Sequence, residues 1–187
     1  MYGQVMRDRL TKSDWLRRGL LTLAAEGPGA LKVGPMARRL NVSRGSFYWH
    51  FRDIGDFRAQ LLRHWQDRST DQVIRDLESR PGEPGRLKEL MRRALAVKGR
   101  LDRAIRSWAA EDAEVAAAVA DVDDRRIANI AKLLVATGVD GSRALQRATF
   151  MYWAYVGQSM MIESRHAAIP TSAVDEITAL FETLGGA

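Results

Sequence analysis

Residues 42–51, VSRGSFYWHF, gather into ten positions several side chains that can donate hydrogen bonds to a ligand. On a helix Phe47 and Phe51 lie four residues apart on one face, which we expect to pack inward. The other faces then carry the hydrogen-bonding side chains of Arg44, Ser46, Tyr48, Trp49 and His50. Such groups bind phosphates and base edges, and Gly45 removes bulk where a DNA backbone must come close. The segment therefore predicts contact with nucleic acid; a tight aromatic corner without a ligand is the alternative.

The distribution of charge agrees with this prediction. The chain has 187 residues and a net charge of +6. Residues 1–65 hold 12 Lys and Arg against 5 Asp and Glu, whereas residues 66–187 hold 17 against 18. This asymmetry is typical of a nucleic-acid-binding module joined to a near-neutral second part of the chain. A basic surface that faces only solvent is the alternative.

Helices must position these residues, because helical periodicity dominates the sequence and no strand pattern stands out. A first helix is predicted from about residue 13, with Leu16, Leu20, Leu23 and Ala24 as its buried stripe. In a second helix Gly34 is the expected N-cap and Pro35 the first helical residue, and Asn41 closes it in a left-handed conformation. Ser43 is expected to cap a third helix at 43–50. The LNVS turn between the two short helices predicts a helix-turn-helix whose second helix recognises DNA.

The remainder of the chain is also predicted to be helical. A long helix is expected over 54–78, followed by the linker SRPGEPG at 79–85. Further helices are expected at 86–98, 101–110, 113–137, 142–164 and 173–184. The helix over 142–164 is apolar almost all round between Ala148 and Ile162, which is typical of a helix buried on two sides.

The segment ALKVGPMARRLNVSRGSFYWHFRDIGDFRAQLL resembles the DNA-binding domain of the tetracycline-repressor (TetR) family of bacterial transcriptional regulators. The shared pattern is an apolar-Ala pair, a Leu-x-Val-Ser turn, and small-aromatic-Tyr-x-x-Phe leading into a long helix. It covers about residues 11–65. The resemblance implies an all-α homodimer of about nine helices, with a helix-turn-helix DNA-binding domain at 1–56 and an effector-binding and dimerisation domain at 57–187.

The resemblance also implies a function. The chain would be a ligand-responsive transcriptional regulator, most simply a repressor, that binds a palindromic operator in double-stranded DNA. A cytoplasmic location is expected separately, because no signal peptide or membrane span is predicted. A small hydrophobic or aromatic effector would release it. Arg44 would read a base edge, Ser46 would contact phosphate or base, Tyr48 and His50 would hold phosphates, and Trp49 would press on the sugar-phosphate wall or a thymine methyl. Arg52 would stand in for a phosphate-contacting Lys that the family has where this chain has Ile54-Gly55.

For the larger domain the resemblance implies a dimer interface on the last two helices and an effector pocket beside it. Small and apolar residues suit the interface: Ala154, Gly157, Met161, Ile177 and Phe181. A single monomeric bundle core is the alternative. Pocket candidates are Met91, Arg106, Trp108, Met151, Tyr152 and Tyr155, with Arg106 as an anion anchor and Met as an adaptable lining for a hydrophobic or aromatic molecule. For each of these residues plain core packing is the alternative.

Enzyme chemistry finds little support in the sequence. The three histidines, at positions 50, 64 and 166, are far apart, and there is no cysteine. Metal-ligand spacing, a glycine-rich phosphate loop and a nucleophile elbow are all missing, so no catalytic residue, metal or cofactor is predicted. The sequence has no apolar run that predicts a signal peptide or a membrane span, so no membrane partner is expected. An architectural DNA-binding protein without an effector is the remaining alternative.

Overall fold

The computed structural model describes residues 10–79, 85–96, 99–161 and 168–183. Every regular element in these ranges is helical, and apart from a 3₁₀ turn at Pro28–Ala30 they form nine helices when the long fourth one is counted once. The first three are α1 Lys12–Glu26, α2 Val33–Arg39 and α3 Arg44–Tyr48. The fourth, α4, joins Ile54–Gln66, a π-helical turn at Asp67–Asp71 and Gln72–Glu78. Then follow α5 Arg86–Ala96, α6 Arg100–Ala109, α7 Ala113–Ala136, α8 Gly141–Met160 and α9 Thr171–Glu182. The predicted all-α fold of about nine helices is confirmed. The predicted helix ends at 98, 164 and 184 lie outside the described residues.

Helix α1 begins at a capping box that the sequence analysis missed. The hydroxyl of Thr11 accepts a hydrogen bond from the Asp14 amide, and the Asp14 carboxylate accepts one from the Thr11 amide at 2.9 Å. Reciprocal capping of this kind satisfies two of the free amides of a helix start. The buried face also differs from the prediction, because it contains the fully buried Trp15 as well as Leu16 and Leu23.

The turn between α2 and α3 is partly as predicted. Asn41 has a φ of 54°, so the expected left-handed residue closes α2. The predicted start of α2 is wrong: the Lys32 carbonyl already accepts from the Met36 amide at 3.1 Å, so Lys32 is the N-cap and Pro35 the third helical residue. Helix α3 is shorter than 43–50. Ser43 is its N-cap residue, but the Ser43 side chain makes no capping hydrogen bond.

Helix α4 was predicted as uninterrupted, but its middle widens into the π-helical turn. Asp53 caps its start, accepting from the Asp56 amide at 2.8 Å. At the π turn the Ser69 hydroxyl donates to the Trp65 carbonyl at 2.6 Å. This side-chain hydrogen bond competes with the backbone amide that would otherwise bind the same carbonyl in an α-helix. A π turn of this kind is frequent at functional sites, where it inserts one extra residue into a helix.

Two clusters of buried apolar side chains hold the helices together. The first contains residues of α1 to α4 and extends to Ile105 and Trp108 of α6 and to Val115, Val119 and Val122 of α7. The second joins the C-terminal end of α4 to α5, α7, α8 and α9. Helix α7 has residues in both clusters, so α6 and α7 pack the N-terminal helices against the rest of the chain. In the described ranges no helix is both long enough and apolar enough to cross a lipid bilayer.

Candidate nucleic-acid interface and interior cavity

An aromatic cluster fixes the orientation of α3. Phe47 and Phe51 are buried, as predicted, and they meet Trp15 of α1 and Phe57 of α4. Ring centroids lie 5.3 Å apart for Trp15 and Phe47, 5.0 Å for Phe47 and Phe51, and 5.0 Å for Phe51 and Phe57. Aromatic pairs in this range contribute about 0.5–1.5 kcal/mol beyond the burial of their area. The cluster holds the outward face of α3 rigidly.

Two large aromatic side chains project from that outward face. Tyr48 is 59% exposed and Trp49 is 75% exposed. The two side chains are adjacent and so form a local apolar patch, and contiguous exposed patches are the apolar surfaces that indicate binding sites. The predicted division of the segment into buried Phe and exposed Tyr and Trp is therefore present in the structure.

Glycines make room around Arg44. A Cβ atom on Gly34 would lie 3.1 Å from one terminal guanidinium nitrogen of Arg44, so the Arg44 side chain rests against the backbone of α2. On Gly45, by contrast, a Cβ would meet only the Ser43 hydroxyl, at 3.5 Å, and packing within the chain does not require glycine there. Glycine inside a helix costs about 0.5–1 kcal/mol relative to Ala. The open surface at Gly45 suits a close external partner.

Several cations on the α2–α3 unit have no carboxylate partner within the described ranges. Lys32, Arg38 and Arg44 are exposed and form no ion pair there. Two others are paired. Arg39 binds Glu26 through two hydrogen bonds, and the Nε of Arg52 lies 3.3 Å from an Asp53 carboxylate oxygen. The predicted phosphate contact of Arg52 would have to compete with Asp53.

His50, which is predicted to hold a phosphate, has one ring nitrogen already in a contact inside the chain. The ring is partly buried, and Nε2 lies 2.8 Å from the carbonyl oxygen of Leu10. This contact ties α3 to the segment before α1, so a phosphate contact by His50 would have to use Nδ1. Ser46 is partly exposed, and its backbone amide binds the Ser43 carbonyl at 3.1 Å.

An interior cavity of about 310 Å³ lies between α4, α5, α6, α7 and α8. Most of its wall is apolar: Val73, Ile74, Leu90, Met91, Ala94, Leu101, Ile130 and Met151. The volume is within the range of pockets that bind drug-sized molecules. The π turn of α4 contributes Ser69 and Thr70 to the wall, and the sequence analysis had not placed α4 at the pocket.

A buried polar cluster forms one side of this cavity. Arg126 binds Asp102 at 3.0 Å, Thr70 at 3.0 Å, and both the hydroxyl and the carbonyl of Ser69. The Tyr155 hydroxyl donates to the same carboxylate oxygen, Oδ2 of Asp102, at 2.7 Å. Beside it Arg106 pairs with Asp123, and the Tyr152 hydroxyl donates to Asp123 at 2.6 Å. Each buried charge in this cluster is balanced by an opposite one, as burial requires.

The pKa values of the cluster follow from burial and pairing. Burial raises the pKa of Asp102, but the charge of Arg126 and hydrogen bonds from Tyr155 and Arg126 lower it more, so it lies below the ordinary value of 3.8. Burial raises the pKa of Tyr152 to about 12, with the Arg126 charge opposing, and also raises that of Tyr155. At neutral pH Asp102 is therefore charged and both phenols keep their protons.

Four of the six predicted pocket residues line the cavity: Met91, Met151, Tyr152 and Tyr155. The other two do not. Arg106 is turned towards Asp123 and Tyr152, so the charge expected to anchor an anion is already neutralised. Trp108 is buried in the first apolar cluster, where the guanidinium of Arg58 lies 6.0 Å from its ring. Asp102 and Arg126 were not predicted as pocket residues, because nothing in their local sequence marks them as partners 24 positions apart.

The five predicted interface residues line a groove between α8 and α9: Ala154, Gly157, Met161, Ile177 and Phe181. Beside this groove α8 presents a stripe of exposed apolar side chains, Phe150, Trp153 and Met160, and α9 presents Ile177 and Leu180. Trp153 is 65% exposed and Leu180 is 69% exposed. A Cβ on Gly157 would meet no atom within 4 Å, so no contact inside the described protomer explains that glycine.

The chain matches no model of a known protein family, and it matches no curated protein with statistical significance.

Proposed function

We propose that this protein is a DNA-binding transcriptional regulator, most simply a repressor, of the tetracycline-repressor type. The proposal depends on one observation, the set of side chains that the outward face of α3 presents. It presents exposed Tyr48 and Trp49 and the guanidinium of Arg44, and a buried aromatic cluster holds it in place. A short helix in this position enters the major groove, where Arg binds guanine most naturally and Tyr contacts phosphate.

The regulator acts as a homodimer that binds a palindromic operator. Support comes from the exposed apolar stripe of α8 and the neighbouring residues of α9, which water would otherwise contact. Two α8–α9 pairs packed across a two-fold axis would bury Trp153 and Leu180, and the bare surface at Gly157 would allow close approach. Operator symmetry would then mirror the symmetry of the dimer.

Release from DNA is the role that we assign to the interior cavity. Helix α4 begins beside α3 and contributes Ser69 and Thr70 to the cavity wall. From Ile54 to Thr70 is about 24 Å at 1.5 Å per residue. The two recognition helices must lie roughly 34–36 Å apart to enter successive major grooves, so a tilt of α4 alters operator affinity. A coupling of about 1–3 kcal/mol changes that affinity 5- to 150-fold.

The test begins with selection of the preferred duplex from random DNA by the full chain. Arg44→Ala should then weaken binding by about 1–3 kcal/mol and relax the preference at one base position. Tyr48→Phe should weaken selected and scrambled duplexes alike, because it removes a phosphate contact. Arg17→Ala is the matched control, since Arg17 is an exposed arginine on α1 paired with Asp14.

Two results would count against the proposal. Selection that returns no palindromic preference, with uniform coating of DNA, would favour the architectural protein instead. Equal losses on selected and scrambled DNA for Arg44→Ala would remove the base-reading role of Arg44. Binding should also fall steeply with salt as counterions are released from the phosphates.

A further inference from the structure

The charges around the interior cavity cancel. Arg126 pairs with Asp102, Arg106 with Asp123, and Arg93 at the rim with Glu89 at 2.6 Å. A ligand that carried its own charge into this space would therefore lose its hydration without meeting an uncompensated opposite charge. Desolvation of an unpaired ion is the most expensive form of burial.

Arg126 cannot anchor an anion as it stands, because its donors are already used. The Nε–H bonds Thr70, one terminal nitrogen bonds Asp102 and Tyr152, and the other bonds the carbonyl and hydroxyl of Ser69. A guanidinium has five N–H donors, and these five contacts account for all of them. The rings of Trp65 and Tyr155 also lie within 5.9 Å and 5.6 Å of the guanidinium carbon.

Asp102 has an acceptor to spare. The residue is only 8% exposed and lines the cavity. Its Oδ2 atom accepts from both Arg126 and Tyr155, whereas Oδ1 accepts no hydrogen bond within the described part of the chain. Among the described residues this oxygen is a free acceptor on a residue that lines an otherwise largely apolar cavity, so a ligand that donates a hydrogen bond to it gains over one that does not. A ligand cation is disfavoured there, because the Arg126 guanidinium lies 3.0 Å from the same carboxylate.

From these contacts we propose that the cavity binds an uncharged, largely apolar molecule that donates one hydrogen bond, from a hydroxyl or an N–H group, to Oδ1 of Asp102. The inference rests on the proposed function only in naming this molecule as the effector. The rings of Tyr152 and Tyr155 and the side chains of Met91 and Met151 contact its apolar body.

Four probes that share one ring system test the proposal on the full chain at pH 7. They are 1-naphthol (a neutral donor), 1-methoxynaphthalene (neutral without a donor), 1-naphthoate (an anion) and 1-naphthylmethylammonium (a cation). Calorimetric titration should give the highest affinity for 1-naphthol. The methyl ether should bind about 10-fold more weakly or worse, because it cannot donate to the carboxylate.

Three variants locate and explain the binding. Ala94→Trp fills the cavity and should abolish binding of 1-naphthol, whereas Ala96→Trp, on an exposed position of the same helix, should leave it intact. Asp102→Asn keeps the size of the side chain but leaves Arg126 without its counterion. In that variant 1-naphthoate should gain at least 10-fold relative to 1-naphthol, which reverses the wild-type order.

The outcomes separate this proposal from the proposed function. A wild-type preference for the naphthoate or the ammonium, equal affinities for 1-naphthol and its ether, or no binding of 1-naphthol would overturn it. Binding that survives Ala94→Trp would overturn it as well. None of these measurements contains DNA, so failure to select an operator would overturn the regulator and leave the order of the four probes unchanged.

Discussion

Replacing Arg126 with Met should expose how far the buried polar cluster holds the chain together. Met keeps much of the apolar length of Arg but removes the charge and all five donors. Asp102 would then remain as a buried carboxylate with only the Tyr155 hydroxyl as a donor. Removal of one partner of a buried pair is strongly destabilising, because it leaves an uncompensated charge.

The magnitude follows from the distance and the burial. The pair is joined at 3.0 Å, with 12% and 9% of the two side chains exposed. Opposite charges about 4 Å apart attract by about 4 kcal/mol at an effective dielectric constant of 20. Broken buried pairs cost about 3–5 kcal/mol. We therefore expect the free energy of unfolding to fall by about 3–5 kcal/mol at pH 7, a large share of the stability of a typical domain.

Arg125→Met provides the matched control on the neighbouring residue. Arg125 pairs with Asp71 and Asp121, but its side chain is 34% exposed, so its loss should cost less than about 1 kcal/mol. Urea unfolding at one fixed protomer concentration, followed by far-UV circular dichroism, gives both values, since a dimer's stability depends on concentration. The double variant Asp102→Asn, Arg126→Met should be more stable than the sum of the single losses predicts.

The change of the free energy of unfolding with pH provides a second, independent test of this prediction. In the wild type the pKa of Asp102 is lowered, so its contribution is complete above about 3.8 and is lost as the pH falls through the folded value. Without Arg126, burial raises that pKa, so the variant loses stability as the pH rises. The difference between the two proteins should therefore shrink from pH 7 towards pH 4. A loss below about 1 kcal/mol at pH 7, or a difference independent of pH, would refute the reasoning.

Two further predictions use glycines as probes of packing. Gly19→Ala should lower the free energy of unfolding by about 1–3 kcal/mol, because a Cβ there would lie 2.6 Å from Phe57 and 2.9 Å from Leu61. The control is Gly29→Ala. A Cβ at Gly29 has no neighbour within 4 Å, so this change should alter the free energy of unfolding by less than about 0.5 kcal/mol. Urea unfolding distinguishes the two, and equal effects would contradict the contact. Gly157→Leu should convert dimers to monomers in sedimentation, whereas Gly141→Leu, in the same helix, should not; a Gly157→Leu dimer at low micromolar concentration would count against the α8–α9 interface.

The parts of the fold and site that the sequence predicted depend on local chemistry. The spacing of Phe47 and Phe51 predicted that both are buried on one side, since residues four apart share a side of a helix. Phe51 lies beyond the end of α3, but its amide still donates to the Phe47 carbonyl at 3.0 Å, so the spacing applies. The left-handed Asn41 could be predicted because few other residues adopt that conformation at a helix end. Helix boundaries were less predictable. Lys32 is the N-cap of α2, but only its backbone carbonyl takes part and its side chain makes no capping hydrogen bond. Every residue has such a carbonyl, so the sequence does not reveal this helix start.

What the sequence could not predict depends on partners that are distant along the chain. Arg126 on α7 meets Asp102 on α6 and Ser69 on α4, at separations of 24 and 57 residues. Each of these residue types is usually exposed, so a single sequence favours a solvated surface for all three. Trp108 shows the opposite case: it is large and apolar like a pocket residue, but it lies on α6 and is buried in the first apolar cluster.

The π turn of α4 lies where this helix, which begins beside the proposed DNA-binding face, reaches the cavity. Its Ser69 and Thr70 are bound by the same guanidinium that neutralises Asp102. A ligand that donates to Asp102 competes for the electron density of that carboxylate and so changes how firmly Arg126 holds the turn. The hydrogen bonds from Arg126 to the turn contribute about 1 kcal/mol each. In the proposed regulator the sum of these hydrogen bonds is an upper limit on the coupling, because a ligand on Asp102 changes operator affinity only by the part of that energy that differs between the ligand-bound and the free state.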